Sequence, residues 1–279
     1  MAARSNPGRK VAAIVFDIES VADGDLVSRR QYPGENLSAA DAIARYKAEL
    51  LEANGRDFIP YTFQLPVSLV VATVAPDYRL LNLVALDEEE SRPHEIVRQF
   101  WEGWERNGQP TLVTFNGRGF DIPLLELACF RYGIAIPDWF AEDRRSFDQP
   151  RNRFNTAGHF DLQEWLTNSG ATRFNGGLSL AASLIGKPGK LDVAGHMVQD
   201  LWESGQTQEI HDYCRFDVLD TYFLYLRSRV VAGVLSLSEE QAIIAETREW
   251  LEARAEGTPA LQKYLDAWGD WQSPWGSEA

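Results

Sequence analysis

The sequence predicts an α/β fold, a mixed β-sheet flanked by helices, with an insertion after the first strand and a helical C-terminal extension. Three observations predict it. Short β-branched apolar runs cluster in the first half of the chain. Helical patterns dominate the second half, and the two alternate only in part, as a β-meander followed by α-β units does.

"KVAAIVFDIE" (residues 10–19) reads as the first strand, apolar and β-branched until its acids. Residues 23–61 interrupt the pattern and hold one helix, "AADAIARYKAELLEANG", closed by Gly55. Two strands follow, "VSLVVATVA" and "LLNLVAL", with the turn-like "PDYR" between them. "RPHEIVRQFWEGWERNG" reads as a helix with Pro near its start and Gly at its end. "TLVTF" is a short buried strand that runs into "NGRGFD", and "IPLLELACFRYG" is helical. Residues 141–156 are polar, arginine-rich and without period. "HFDLQEWL" reads as a short strand or a helix start, and "LSLAASLIG" as a helix before the "KPGK" turn. "EIHDYCRFDVLDTYFLYLR" is a long helix. In "SEEQAIIAETREWLEARAEG", the last helix, Ser238 and Gln241 have capping-box spacing. The expected organisation is a tail (1–10), one domain (11–230) with an insertion at about 24–63, and a helical extension (231–279).

No apolar run approaches the roughly 20 residues that span a bilayer. The N-terminus also lacks a secretory pattern. The expectation is no membrane and a cytoplasmic location, where Cys129 and Cys214 stay free thiols. Cysteines and histidines show no zinc spacing. The net charge of −14 argues against broad electrostatic affinity for nucleic acid. It leaves room for a local basic groove, or for acids that bind metal cations.

Asp17 and Glu19 in "FDIES" are two apart, so on a strand both carboxylates face the same way. Like charges held together need a cation, and hard Mg²⁺ or Mn²⁺ prefers carboxylate oxygens. The competing reading is a strand that has simply ended in solvated acids. Asp121 follows a glycine-containing turn at a helix start, where an acid also suits the helix dipole. Tyr213 and Asp217 are four apart, on one helix face. If Asp17, Glu19, Asp121 and Asp217 meet, two metals about 4 Å apart would serve phosphodiester hydrolysis. Tyr213 would then aim its hydroxyl at the attacking water.

"FDIES", "FNGRGFDIPLL" and "YCRFD" resemble, in order, the three motifs of the DEDD 3′→5′ exonucleases of the ribonuclease-H-like superfamily. The chain is similar to the branch of predicted exonucleases related to the proofreading domain of family B DNA polymerases, over about residues 11–229. The resemblance implies a ribonuclease-H-like sheet. It implies Asp17, Glu19, Asp121 and Asp217 as ligands of two Mg²⁺ or Mn²⁺ ions, with Tyr213 positioning the water. The tyrosine subclass fits. The histidine form needs its residue five before the last Asp, where Asp212 stands; His211 is six before and points elsewhere. Ser20 replaces the usual threonine after the first acidic pair, and residues 24–63 exceed a simple connection. No polymerase palm or fingers follows, so proofreading within the same chain is not expected. Asp161 resembles a further acid of the branch, placed for support rather than ligation.

The expected partner is the 3′ end of single-stranded nucleic acid, DNA before RNA. Its expected contacts are Asn116 in the glycine turn and the group Arg144, Arg145, Phe147, Arg151 and Arg153, where guanidinium groups hold phosphates and rings stack on bases. The same loop also reads as a solvated face. "GKPGK" lacks Walker spacing, though Lys187 or Lys190 could touch a phosphate. Trp268, Trp271 and Trp275 are expected to pack on their own domain. The rival functions are an RNA-trimming or short-oligonucleotide exoribonuclease on the same chemistry, and a non-catalytic nucleic-acid-binding module.

Overall fold

The central strand, β1 (Ala13–Ala22), alternates between two apolar layers, and that alternation organises the molecule. The computed structural model describes residues 10–189 and 195–275. After β1 come α1 (Gly24–Gln31), α2 (Ala39–Asn54), β2 (Gln64–Val74), β3 (Leu80–Ala85), α3 (Pro93–Arg106), β4 (Thr111–Thr114), α4 (Asp121–Tyr132) and α5 (Pro137–Phe140). They are followed by β5 (His159–Asp161), α6 (Leu162–Leu166), α7 (Gly177–Leu184), α8 (Val198–Glu203), α9 (Thr207–Val231), α10 (Leu237–Ala255) and α11 (Pro259–Asp266). The five strands lie in the order β3-β2-β1-β4-β5. β1 is antiparallel to β2 and parallel to β4, and β4 is parallel to β5. This is a mixed sheet flanked by helices, in keeping with a ribonuclease-H-like α/β fold.

Ile14, Phe16 and Ile18 pack into one layer with Phe100, Trp101 and Trp104 of α3 and Leu125 of α4. Ala13 and Val15 point the other way, against Val218, Leu219 and Tyr222 of α9, with Leu251 and Tyr264 behind them. Each fully buried Ile, Val, Leu or Phe among them contributes about 1.5–3 kcal/mol. Strand period therefore sends Asp17 and Glu19 towards α9.

Two expectations shift. β1 does not end at Glu19 but continues to Ala22, because β2 pairs with it as far as Gln64. The register slips between Glu19 and Ser20, where the partner becomes Pro66, which has no N–H to donate. The acids thus sit within a paired strand, not beyond its end. The last long helix starts earlier than expected: Ser236 and Glu239, not Ser238 and Gln241, form its capping box. Both pairs have the spacing, but Ser236 has the extended backbone a cap needs, and Glu239 brings an ionised acceptor to the cap amide.

The insertion holds two helices where one was expected, and α1 and α2 pack through Val27, Tyr32 and Ala42. Trp268 stacks edge-on against Phe223 at 5.3 Å, and Arg227 lies over Trp271 at 4.4 Å, whereas Trp275 is exposed. The tail therefore packs on its own chain through two of its three tryptophans. Among the described residues, no helix is long and apolar enough to cross a membrane.

Candidate active site

One carboxylate oxygen from each of Asp17, Glu19 and Asp217 lies within 4.8 Å of the others. β1 supplies two of these acids and α9 the third. Asp121 opens α4 and is buried, its carboxyl beside the backbone of Ile18, the residue after Asp17. Asp121 lies outside the tight triplet, but its charge acts directly on Asp17.

Burial pushes the Asp17 carboxyl well above the usual range, and Asp121, Asp217 and Glu19 push it further. Asp121 is raised to about 7, mainly by burial, with Asp161 and Asp217 adding to it. Like charges brought so close are costly without a cation. The donor set is hard oxygen throughout, which fits Mg²⁺ or Mn²⁺ and not a soft metal.

The turn before Asp121 is built for close approach. Asn116 adopts φ +66°, and a Cβ on Gly117 would lie 2.4 Å from Thr114 Oγ1. The Asp161 carboxylate accepts the backbone N–H groups of Asn116 at 3.1 Å and Arg118 at 2.9 Å. It also caps α6 by accepting from Gln163 and Glu164. With these bonds made, Asp161 supports the turn and is not one of the clustered acids.

Tyr213 is buried among Val21, Val67, Val198 and Leu201. Burial holds its phenol protonated far above the ordinary range, as do the Asp217, Glu19 and Asp17 charges. His211 turns away from the cluster, bound to Ser68 and Ser91.

A cavity of about 500 Å³ opens beside Glu19, lined also by Phe58, Ile59, Asn116, Phe120 and Gln199. A second, of about 750 Å³, shares Asn116 and Gly119 with it and adds Arg56, Arg118, Arg153 and Arg173. Asn116 thus stands where both meet. The arginine loop is only partly available. Arg151 grips both oxygens of Glu126 at 2.7 and 2.9 Å, and Arg153 pairs with Glu164 at 3.0 Å. Arg144 and Arg145 are exposed and make no ion pair among the described residues. Phe147 and Phe154 are exposed, their ring centroids 6.5 Å apart. Lys187 does not reach outward for a phosphate: it is buried over Trp268 and donates to the Gly269 carbonyl. Lys190 lies outside the described residues.

Sequence reasoning missed Arg56, Phe58, Phe120 and Arg173. The apolar–basic run "GRDFIP" at the end of the insertion was the available signal, since Phe58 stays 61% exposed while its ring sits 5.9 Å from that of Phe120.

Fold and carboxylate cluster together define a ribonuclease-H-like α/β chain with a candidate divalent-metal centre. The model of a family described as predicted 3′-5′ exonucleases related to the exonuclease domain of PolB matches residues 56–268, and the chain belongs to that family. The matched segment begins after Asp17 and Glu19, which join it through the pairing of β1 with β2 and β4. A comparison with curated proteins finds no match.

Proposed function

We propose that the protein is a metal-dependent 3′→5′ exonuclease that removes nucleoside 5′-monophosphates from the 3′ end of single-stranded nucleic acid, DNA in the first place. The observation that carries the reading is the convergence of Asp17, Glu19 and Asp217 oxygens within 4.8 Å, on a chain of an exonuclease family.

In this mechanism Asp17, Glu19, Asp121 and Asp217 would hold two Mg²⁺ or Mn²⁺ ions. Bound there, the ions supply charge neutralisation at the scissile phosphate and an acidified water. The Tyr213 hydroxyl, one turn from Asp217, orients the water so that its oxygen attacks phosphorus in line as the bond to the 3′ oxygen breaks, and that departing oxygen takes up a proton in exchange for the one the water loses. Tyr213 does not take the proton, because its phenol is held protonated. The cavity beside Glu19, with the paired rings of Phe58 and Phe120 on its wall, receives the terminal base, and this aromatic wall favours an unstacked one. Arg56, Arg173, Arg144 and Arg145 offer cations to the trailing phosphates. The net charge of −14 makes this binding modest and dependent on salt. Residues 11–230 carry these groups, with 231–279 as an extension. Two free cysteines suit a reducing cytoplasm.

The test is digestion of end-labelled single-stranded DNA and RNA with Mg²⁺, Mn²⁺ or EDTA, beside an Asp17→Asn control. Stepwise shortening from the 3′ end, lost in EDTA and in the control, is expected. Faster loss of RNA would move the substrate to the exoribonuclease class. Shortening by Asp17→Asn at the wild-type rate would remove the proposed site from the reaction.

A further inference from the structure

The face of α9 next to the one bearing Tyr213 and Asp217 carries His211 and Cys214, three residues apart and therefore neighbours on the helix. Both are buried, His211 to 1% exposure and Cys214 to 0%. They belong to a run of neighbouring polar groups between α9 and the sheet. Ser91 Oγ lies 3.0 Å from His211 Nε2, and His211 Nδ1 lies 2.8 Å from Ser68 Oγ. The Ser68 hydroxyl also stands beside the Cys214 thiol, close enough to offset in part the upward push of burial on it. Cys214 Sγ donates to the Asp17 carbonyl at 3.2 Å and reaches Asp17 Oδ2 at 3.8 Å. Ser68 is also the residue directly opposite Glu19 in the β1–β2 register. The line therefore runs immediately behind the carboxylates and ends on one of them.

Its surroundings are apolar: Val70, Val218 and Leu219 fill the same interface. Apolar packing between a helix and a sheet resists separation but specifies register weakly. A satisfied polar line has to be matched atom by atom. A neutral imidazole supplies one donor and one acceptor, so it can close both serine contacts at once. Burial favours that neutral form of His211. Asp17 and Asp217 stand on the two elements so pinned, and any slide of α9 along β1 would part them.

We propose that the Ser91–His211–Ser68–Cys214 line is a positioning device that sets the register of α9 on β1 and β2 and holds Asp17 in the rotamer required for divalent metal binding. It rests on the exonuclease reading above and assigns His211 and Cys214 work that does not include touching substrate.

The experiment measures Mn²⁺ affinity by electron paramagnetic resonance and thermal stability in EDTA, with kcat and KM on a single-stranded oligonucleotide. The proteins are full-length wild type, Asp17→Asn, His211→Leu, His211→Gln, Cys214→Ala, Cys214→Ser and Ser68→Ala. Outer-shell partners of metal ligands typically carry about 10- to 100-fold in affinity or activity. His211→Leu, Ser68→Ala and Cys214→Ala should therefore lose about tenfold in Mn²⁺ affinity, with kcat falling and KM for the oligonucleotide unchanged. His211→Gln and Cys214→Ser, which keep hydrogen-bonding groups, should recover most of the loss. A purely structural role predicts the opposite split, in which stability falls and Mn²⁺ affinity of the folded protein is unchanged; that result overturns the proposal. If His211→Leu does not fold, Ser68→Ala cuts the same line with a smaller change and decides the matter. If wild type itself takes up no Mn²⁺ beyond Asp17→Asn, the metal reading fails and the proposal falls with it. Wild-type uptake with silent line variants overturns the proposal alone.

Discussion

The Asp161 carboxylate holds the Arg118 backbone amide at 2.9 Å, so the end of β5 fixes the turn from which Asp121 starts α4. A buried acceptor of several N–H groups is costly to lose, because the donors stay buried without it. Asp161→Ala should lower stability by about 2–4 kcal/mol, on the scale of charged hydrogen bonds whose partners are stranded. It should also reduce turnover by displacing Asp121. Urea unfolding in EDTA checks the first effect, and an unchanged midpoint would show that the turn holds without its clamp.

Asp220 sits one turn beyond Asp217, fully buried, and accepts the Tyr264 hydroxyl at 2.6 Å. Burial lifts its carboxyl to about 8, and Asp217 adds to the lift, while the Tyr264 bond opposes it. An unfolded Asp titrates near pH 3.9. The folded protein thus holds this proton more tightly than the unfolded chain, so this group's contribution to stability falls as pH rises from about 4 to about 8. Asp220→Asn cannot ionise and still accepts from Tyr264. Its stability relative to wild type should rise across that window, by at most about 1.4 kcal/mol per pH unit. Unfolding curves at several pH values in EDTA test the sign, and a flat difference would contradict it.

Single-strand binding should rest on the unpaired arginines more than on the paired ones. Arg151 and Arg153 are already held by Glu126 and Glu164, so using them for phosphate requires breaking those pairs. Replacing Arg144 and Arg145 with alanine should weaken long oligonucleotides but leave dinucleotides nearly unaffected. Each lost phosphate contact should reduce the slope of log K against log salt by about 0.7. Fluorescence anisotropy across a salt series reads both. An unchanged slope would take the loop off the path of the strand.

Geometry carried by local spacing was legible in the sequence. The alternation of Ile14, Phe16 and Ile18 with Val15, Asp17 and Glu19 fixes which side of β1 the acids take, and helix period puts Tyr213 with Asp217. Turning His211 away from that face was likewise a matter of angle. What His211 binds was not legible, because Ser68 and Ser91 lie 143 and 120 residues away. The pairing of Arg151 with Glu126, 25 residues apart, was hidden for the same reason. Where β1 ends depended on β2, its partner, and not on the polarity of Asp17 and Glu19. Phe58 remained invisible as a cavity wall, since only the fold brings the end of the insertion beside Phe120.

The most discriminating prediction concerns the Tyr213 hydroxyl. It lies one turn from Asp217, whose charge acts on it, so a water held in the same cluster is within its reach. Its phenol is held protonated, so in the proposed mechanism it would orient the nucleophile rather than take its proton. Tyr213→Phe removes one oxygen and keeps the ring that packs among Val21, Val67 and Leu201. Stability, Mn²⁺ affinity and KM should therefore change little, while kcat falls roughly 10- to 1000-fold, the range open to loss of positioning. The pH profile of what remains should keep its shape, because no titrating group has been removed. A true general base would behave differently, taking a limb of the profile with it when lost. His211 gives the contrast: changing it should move Mn²⁺ affinity together with kcat, whereas Tyr213→Phe should move kcat alone. If Tyr213→Phe proves silent while His211→Gln abolishes turnover, the face of α9 assigned to the water is wrong.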